Sequence, residues 1–346
     1  GSYKAGDAVA IRINFSEVIT LTGTMDINLD SSGICVISTF TGTTTTGIYT
    51  VGAGQTSADL TATSVVVNTT ARDAALNNLV TTLPGINIAT GSNIIIDTTA
   101  PTITSITSST PNGSYKAGDV IAIRINFSEP ITLIGTIGIN LDSGGVCVIN
   151  AFAGTTTTGI YTVLAGHTSA DLTATSVVVN TTARDAALNN LVTTLPVINI
   201  ATGSNIIIDT TAPTITSITS STANGSYKAG DVIAISINFS EVITLTGTMG
   251  INLDTGGLCV INGFTGTTAT GAYTVLAGHT SADLTATSVV VNTSARDVAL
   301  NNLVTTLPVT NIATGSNIII DSTAPTITSI TSSTANGSYK AGDNIS

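Results

Sequence analysis

The chain has 346 residues, of which 42% are hydrophobic, 8% charged and none Trp. Nine Lys and Arg against 20 Asp and Glu leave a net charge of −11. No basic cluster exists to displace counterions from phosphate, which excludes a nucleic-acid partner. No apolar run approaches the ~20 residues of a membrane helix, and Val and Ile recur too densely for a disordered chain.

The string Gly-Ser-Tyr-Lys-Ala-Gly-Asp starts at Gly1, Gly113, Gly225 and Gly337, so one 112-residue unit repeats without insertion or deletion. Residues 1–112 and 113–224 are identical at 97 of 112 positions. That period is longer than the roughly 20–50 residues of solenoid repeats and fits one small domain per unit. Complete domains are therefore expected at 97–208 and 209–320. Residues 1–96 read as a repeat lacking its first strand, and 321–346 as the first strand of a fourth. No signal peptide is visible; the chain begins in mid-repeat, so that silence carries no weight.

Within 97–208, seven strands are predicted. Thr102–Thr107 opens the series after Pro101, and Ile121–Phe127 follows, alternating strictly with Ile121, Ile123, Ile125 and Phe127 facing inward. Ile137–Leu141 alternates in the same way, and then come Val146–Phe152, Ile160–Leu164 and Leu172–Asn180. The last runs from Ile198 to Ile208. Turn clusters such as Asp142-Ser143-Gly144-Gly145 and Asn189-Asn190 separate them. Seven short strands with turns every 8–12 residues predict an all-β fold of tandem immunoglobulin-like antiparallel β-sandwich domains in a linear array. The Cys…Trp…Cys core of antibody domains is absent. The one Cys per unit (Cys35, Cys147, Cys259) cannot pair within its domain and reads as a small buried residue.

The acids fall near the poles of such a sandwich. Asp97, Glu129 (in the loop after the second strand) and Asp185 gather at the pole where the chain comes in; Asp119, Asp142 and Asp171 lie in turns at the other. Head-to-tail joining would bring Asp7, Asp30 and Asp59 toward Asp97, Glu129 and Asp185, and the second trio toward Asp209, Glu241 and Asp297. Clustered carboxylates repel unless a cation intervenes, and Ca²⁺ takes 6–8 oxygen ligands. The Asp119 trio is expected to be plain turn formers. The expected metal ligands are Asp97, Glu129, Asp185, Asp209, Glu241 and Asp297.

The linker Asp97-Thr98-Thr99-Ala100-Pro101, the Ala117-Gly118-Asp119 turn, Phe127-Ser128-Glu129 and the loop Asp185-Ala186-Ala187-Leu188-Asn189 occur in that order. Together they resemble the bacterial immunoglobulin-like and cadherin-like tandem repeats of giant extracellular adhesins and surface fibre proteins. The resemblance implies calcium at domain junctions, held by the linker Asp and by loop acids, which here are Asp97, Glu129 and Asp185, then Asp209, Glu241 and Asp297. One departure stands out: Leu occupies 76, 188 and 300 where the family pattern has Gly. A positive φ there is expected to be disfavoured.

Other chemistry is poorly supplied. His167 and His279 have Gln55 as their first-repeat counterpart, so a general base is not expected and the histidines read as surface turn residues. No phosphate loop or zinc spacing occurs, and no enzyme activity is expected. Sequons at Asn112, Asn126 and Asn180 offer attachment points for glycans, although such triplets arise by chance in a chain rich in Ser and Thr. Alternation turns Asn126 outward. Surface glycans are also a candidate partner.

The expected function is an extracellular or cell-surface structural element: a fibre, sheath or adhesin stalk of end-to-end domains rigidified by calcium at the junctions. The alternative is the repeat region of a secreted enzyme or carbohydrate-binding adhesin whose active domain lies outside this chain. Self-association end to end is expected, as a homopolymer or a longer array. In a homopolymer Thr326–Thr331 would complete a first repeat by strand exchange, because it matches Thr102–Thr107 letter for letter.

Overall fold

The computed structural model describes every residue from Gly1 to Ser346. Strands dominate, and the helices are three single turns, Ile88–Gly91, Ile200–Gly203 and Ile312–Gly315. The protein is all-β, built from several small sheets with no barrel. No helix is long and apolar enough to cross a membrane. The chain divides into two compact units, Gly1–Thr210 and Thr211–Ser346.

In the first unit the second repeat is organised by a long hairpin, Val120–Leu141 against Val146–Thr162. Ile103–Ser108 pairs antiparallel with the start of Val120–Leu141, and Ala174–Val179 with its end. A separate small sheet joins Gly113–Tyr115, Ile206–Asp209 and Thr168–Ser169. Alternation decides which side is buried. Ile121, Ile123, Ile125, Ile131, Leu133, Ile137 and Ile139 all sit on odd positions and share one core with Cys147 and Tyr161. Asn199 caps the helical turn Ile200–Gly203 and also accepts from Ala174 N–H while donating to its carbonyl, which pins the loop to the sheet.

Three features differ from the predicted pattern. Ile121–Phe127 and Ile137–Leu141 are one continuous strand, and Val146–Phe152 runs on without a break into the predicted Ile160–Leu164, ending at Thr162. The connecting stretches, Ser128 to Thr136 and Ala153 to Gly159, hold enough Thr and Ile to stay extended. Register skips at Asn126/Ile131 and Leu133/Thr136 bend the strand there instead of ending it. Gly135, at φ 89°, makes the second bend; a Cβ on it would lie 2.3 Å from Thr181 Oγ1. The pairing is also not purely antiparallel, because Gly113–Tyr115 runs parallel to Ile206–Ile208. Ile198–Ile208 is not one strand: the helical turn Ile200–Gly203 interrupts it and only Ile206–Asp209 forms a strand.

The first repeat has the same plan, with Ala8–Thr22 and Met25–Leu29 in place of the single long strand. Residues 1–97 contain no counterpart of Ile103–Ser108. The second unit repeats the complete plan, including Ile215–Ser220 against Val232–Leu253. Beyond Asp321 no strand forms: Ile327 and Ile330 are 82% and 90% exposed, whereas their counterparts Ile103 and Ile106 are 6% and 0% exposed.

All three cysteines are free and fully buried. Each packs against the glycine twelve residues further along the chain (Gly47, Gly159, Gly271); a Cβ at Gly159 would come within 2.5 Å of Cys147 Sγ. Burial pushes the Cys147 and Cys259 thiols up to about 11 and raises that of Cys35 as well. The thiols are apolar filling.

Candidate metal centre

Asp97, Glu129 and Asp185 converge: each offers a carboxylate oxygen within 4.8 Å of the other two. Three different elements bring them together. Asp97 ends the strand Ile95–Asp97 of the first repeat and pairs there with Thr56. Its Oδ1 accepts from Thr99 N–H at 3.0 Å, turning the chain into the linker. Glu129 is not in a free loop. It lies within Val120–Leu141, in the segment passed over by the Asn126/Ile131 register skip and just before Pro130, which has no N–H to pair. The bulge aims Glu129 across the junction.

Asp185 is the buried member, 5% exposed. It opens a tight turn in which its Oδ1 accepts from Asn189 N–H (2.8 Å) and its Oδ2 from Asn189 Nδ2 (2.7 Å). The same Nδ2 donates to the Asp97 carbonyl at 2.9 Å, tying the turn to the linker. Leu188 inside that turn does adopt the left-handed region, φ 67°, as do Leu76 (69°) and Leu300 (68°). Leu is therefore held in the conformation expected to be disfavoured, in a turn closed by hydrogen bonds from Leu188 N–H to Asp185 O and from Asp185 N–H to Asn189 O. Across the junction, Lys4 Nζ donates to the Leu188 carbonyl at 3.2 Å.

Burial first, and then the charges of Asp97 and Asp185, push the Glu129 carboxyl above its ordinary 4.5. The trio is electrostatically unfavourable by itself. Three carboxylates supply up to six oxygens, the donor type of a hard cation, and several of these oxygens already accept N–H bonds. Water would have to complete any coordination shell.

The six-acid junction is not formed. Asp7, Asp30 and Asp59 close their own loops: Asp7 accepts from Lys4 N–H, Asp30 from Ser57 and Thr61, and Asp59 from Ile94. In the second repeat Asp119 accepts from Lys116 N–H and Asp142 from Ser169 and Thr173, as turn formers do. Asp171 keeps one buried oxygen without a partner. The remaining expected ligands occupy equivalent sequence positions: Asp209 ends Ile206–Asp209 in the first unit. In the second unit Glu241 lies within Val232–Leu253, and Asp297 is buried and held by Asn301.

His167 is more than a surface turn residue. Its ring stacks on Tyr161, and Nδ1 takes the Tyr161 hydroxyl at 2.8 Å and Leu164 N–H at 3.2 Å. Tyr161 also bonds Ser143, so a Ser-Tyr-His chain seals the end of the core. In the first repeat Gln55 Oε1 takes the same two roles toward Tyr49 and Gly52, which is why the exchange is tolerated. Asn126 is half-buried and donates to Ser105 Oγ at 2.7 Å, so the outward, accessible sequon expected there is engaged in the sheet.

No family model matches the chain, and a search of curated proteins finds no relative.

Proposed function

We propose that the protein is an extracellular or cell-surface structural element, a fibre, sheath or adhesin stalk of tandem immunoglobulin-like β-sandwich units. The observation that carries this reading is the repetition of one self-contained core with a carboxylate trio at the joint between repeats. A catalytic protein has little use for three copies of a domain; a spacer gains length from each. Pairing of Ile103–Ser108 with one end of the hairpin, and of Gly113–Tyr115 in parallel with the last strand, supports the immunoglobulin-like reading. So does the resemblance of the linker and loop motifs to repeats of giant bacterial adhesins.

Calcium is the proposed ligand of Asp97, Glu129 and Asp185, and by sequence recurrence of Asp209, Glu241 and Asp297. The all-oxygen donor set suits a hard cation, and partial use of those oxygens by N–H groups fits the ~10⁻⁴–10⁻³ M affinities of extracellular calcium modules. Melting followed by calorimetry, in calcium and in chelator, tests the reading. At ten times the dissociation constant, binding to the folded state adds about 1.4 kcal/mol of stability. Identical melting in calcium and chelator would leave the acids as turn formers.

A further inference from the structure

We propose that Asn262 is a site of spontaneous amide-to-acid conversion in the folded protein, because the fold leaves its Asn-Gly pair free to react while it holds those at Asn112 and Asn224. The inference concerns covalent chemistry in the third repeat and does not depend on calcium or on the structural reading above.

Asn is thermolabile where the backbone nitrogen of the next residue can reach its side-chain carbonyl carbon. A following Gly obstructs that approach least, because it has no Cβ and its backbone turns freely. Gly follows Asn at 112, 224, 262 and 336. The pairs at 112, 224 and 336 open the repeated Gly-Ser-Tyr-Lys string. Asn262-Gly263 belongs to the third repeat alone: the second has Asn150-Ala151 there and the first Ser38-Thr39.

The fold treats these pairs differently. At Asn112 both reacting groups are held. Its Oδ1 accepts from Asn205 N–H at 2.9 Å, and Gly113 N–H donates to Asn205 O at 3.0 Å. Gly113 then starts the strand that runs parallel to Ile206–Ile208. Asn317 holds Asn224-Gly225 in the same way, at 2.9 and 3.1 Å. Asn262 lies instead in Leu258–Thr274, an edge strand whose one neighbour is Val232–Leu253. The ladder steps from Leu245 opposite Phe264 to Thr248 opposite Asn262, and Gly263 is passed over. The Asn262 side chain is exposed, and no hydrogen bond holds its amide.

The reaction needs only water. Gly263 N attacks Asn262 Cγ, and the bond from Cγ to the side-chain nitrogen breaks. That nitrogen leaves as ammonia, taking the proton that Gly263 N gives up. Water then opens the cyclic imide at either carbonyl and leaves an aspartyl or isoaspartyl residue at 262. The isoaspartyl form adds a methylene to the main chain where the ladder already skips. Either product is an acid in a strand, Leu258–Thr274, that otherwise has no charged residue. Charge on an edge strand hinders its pairing with further strands.

Peptide mapping by mass spectrometry tests this on the 346-residue chain, aged in mildly alkaline buffer with and without urea. In the folded chain Asn262 is expected to convert at least ~10-fold faster than Asn112 and Asn224; a local opening free energy of about 1.4 kcal/mol at the held pairs gives that ratio. In urea the three should convert at similar rates. Gly263→Ala should remove most of the conversion at Asn262, and Ala151→Gly should create it at Asn150. Each variant carries the residue that another repeat has at the same place, so the fold is kept, which circular dichroism checks. The proposal is overturned if Asn262 converts no faster than Asn112 and Asn224 in the folded chain. It is equally overturned if Gly263→Ala leaves the rate at Asn262 unchanged, or if Asn150 stays intact in Ala151→Gly.

Discussion

Leu188 sits at φ 67° in the turn that carries Asp185, a conformation that costs a Cβ-bearing residue about 1–2 kcal/mol. Because the side chain is mostly exposed, Leu188→Gly forfeits little burial and removes the strain. Part of that gain returns as unfolded-chain entropy, so urea unfolding is expected to show a net stabilisation of up to about 1 kcal/mol. A loss of stability would mean that the Leu side chain makes contacts outweighing the strain. Glu129 behaves in the opposite sense to a salt-bridged acid. Its folded pKa stands above its unfolded value, so its contribution is fully present below pH 4.5 and is lost as pH rises through the folded pKa. Glu129→Gln should therefore melt no lower than wild type at pH 7 without calcium, and should lose that part of the pH dependence. A variant that melts well below wild type in chelator would contradict this electrostatic account. At Gly159 the constraint is steric: Gly159→Ala would push a methyl onto Cys147 Sγ, for an expected loss of about 1–3 kcal/mol by chemical denaturation.

At the scale of elements, the bent strand Val120–Leu141 carries most of the repeat's construction. Its two register skips turn one strand into two arms around a common core, and the first skip also presents Glu129. Gly135 is the residue that permits the second bend; Gly135→Ala meets both a positive φ and the Thr181 side chain. That change should cost about 1–2 kcal/mol or more, read from the urea midpoint. These bends explain what the sequence could and could not convey. Alternation at Ile121, Ile123, Ile125 and Phe127 told which side is buried, and it held through Ile131, Leu133, Ile137 and Ile139. Periodicity does not say where pairing stops, so Ser128–Glu129 read as a loop although the backbone stays extended there. Of the acidic trio, Asp97 and Asp185 were legible because they stand at a strand end and a turn, whereas Glu129 lies within a strand. The failure of Asp7, Asp30 and Asp59 to join the trio was not legible, since it depends on hydrogen bonds to Lys4, Ser57, Thr61 and Ile94 that only the folded loops create. Likewise nothing in the string separates His167 from Gln55; both serve because each puts one acceptor before the buried tyrosine.

For the whole molecule, near-identity between repeats gives each one a core that needs little from its neighbours. At the first joint the direct links are sparse: Asn189 to the Asp97 carbonyl and Lys4 to the Leu188 carbonyl, beside three carboxylates that repel. A cation there would convert a repulsive joint into a clamp. Calorimetric titration of calcium into the chain and into the double variant Glu129→Gln/Glu241→Gln tests this most directly. Wild type is expected to bind with a dissociation constant of about 10⁻⁴–10⁻³ M, and the double variant, folded, to show no binding. Absence of binding to wild type, or equal binding by both, would contradict the account.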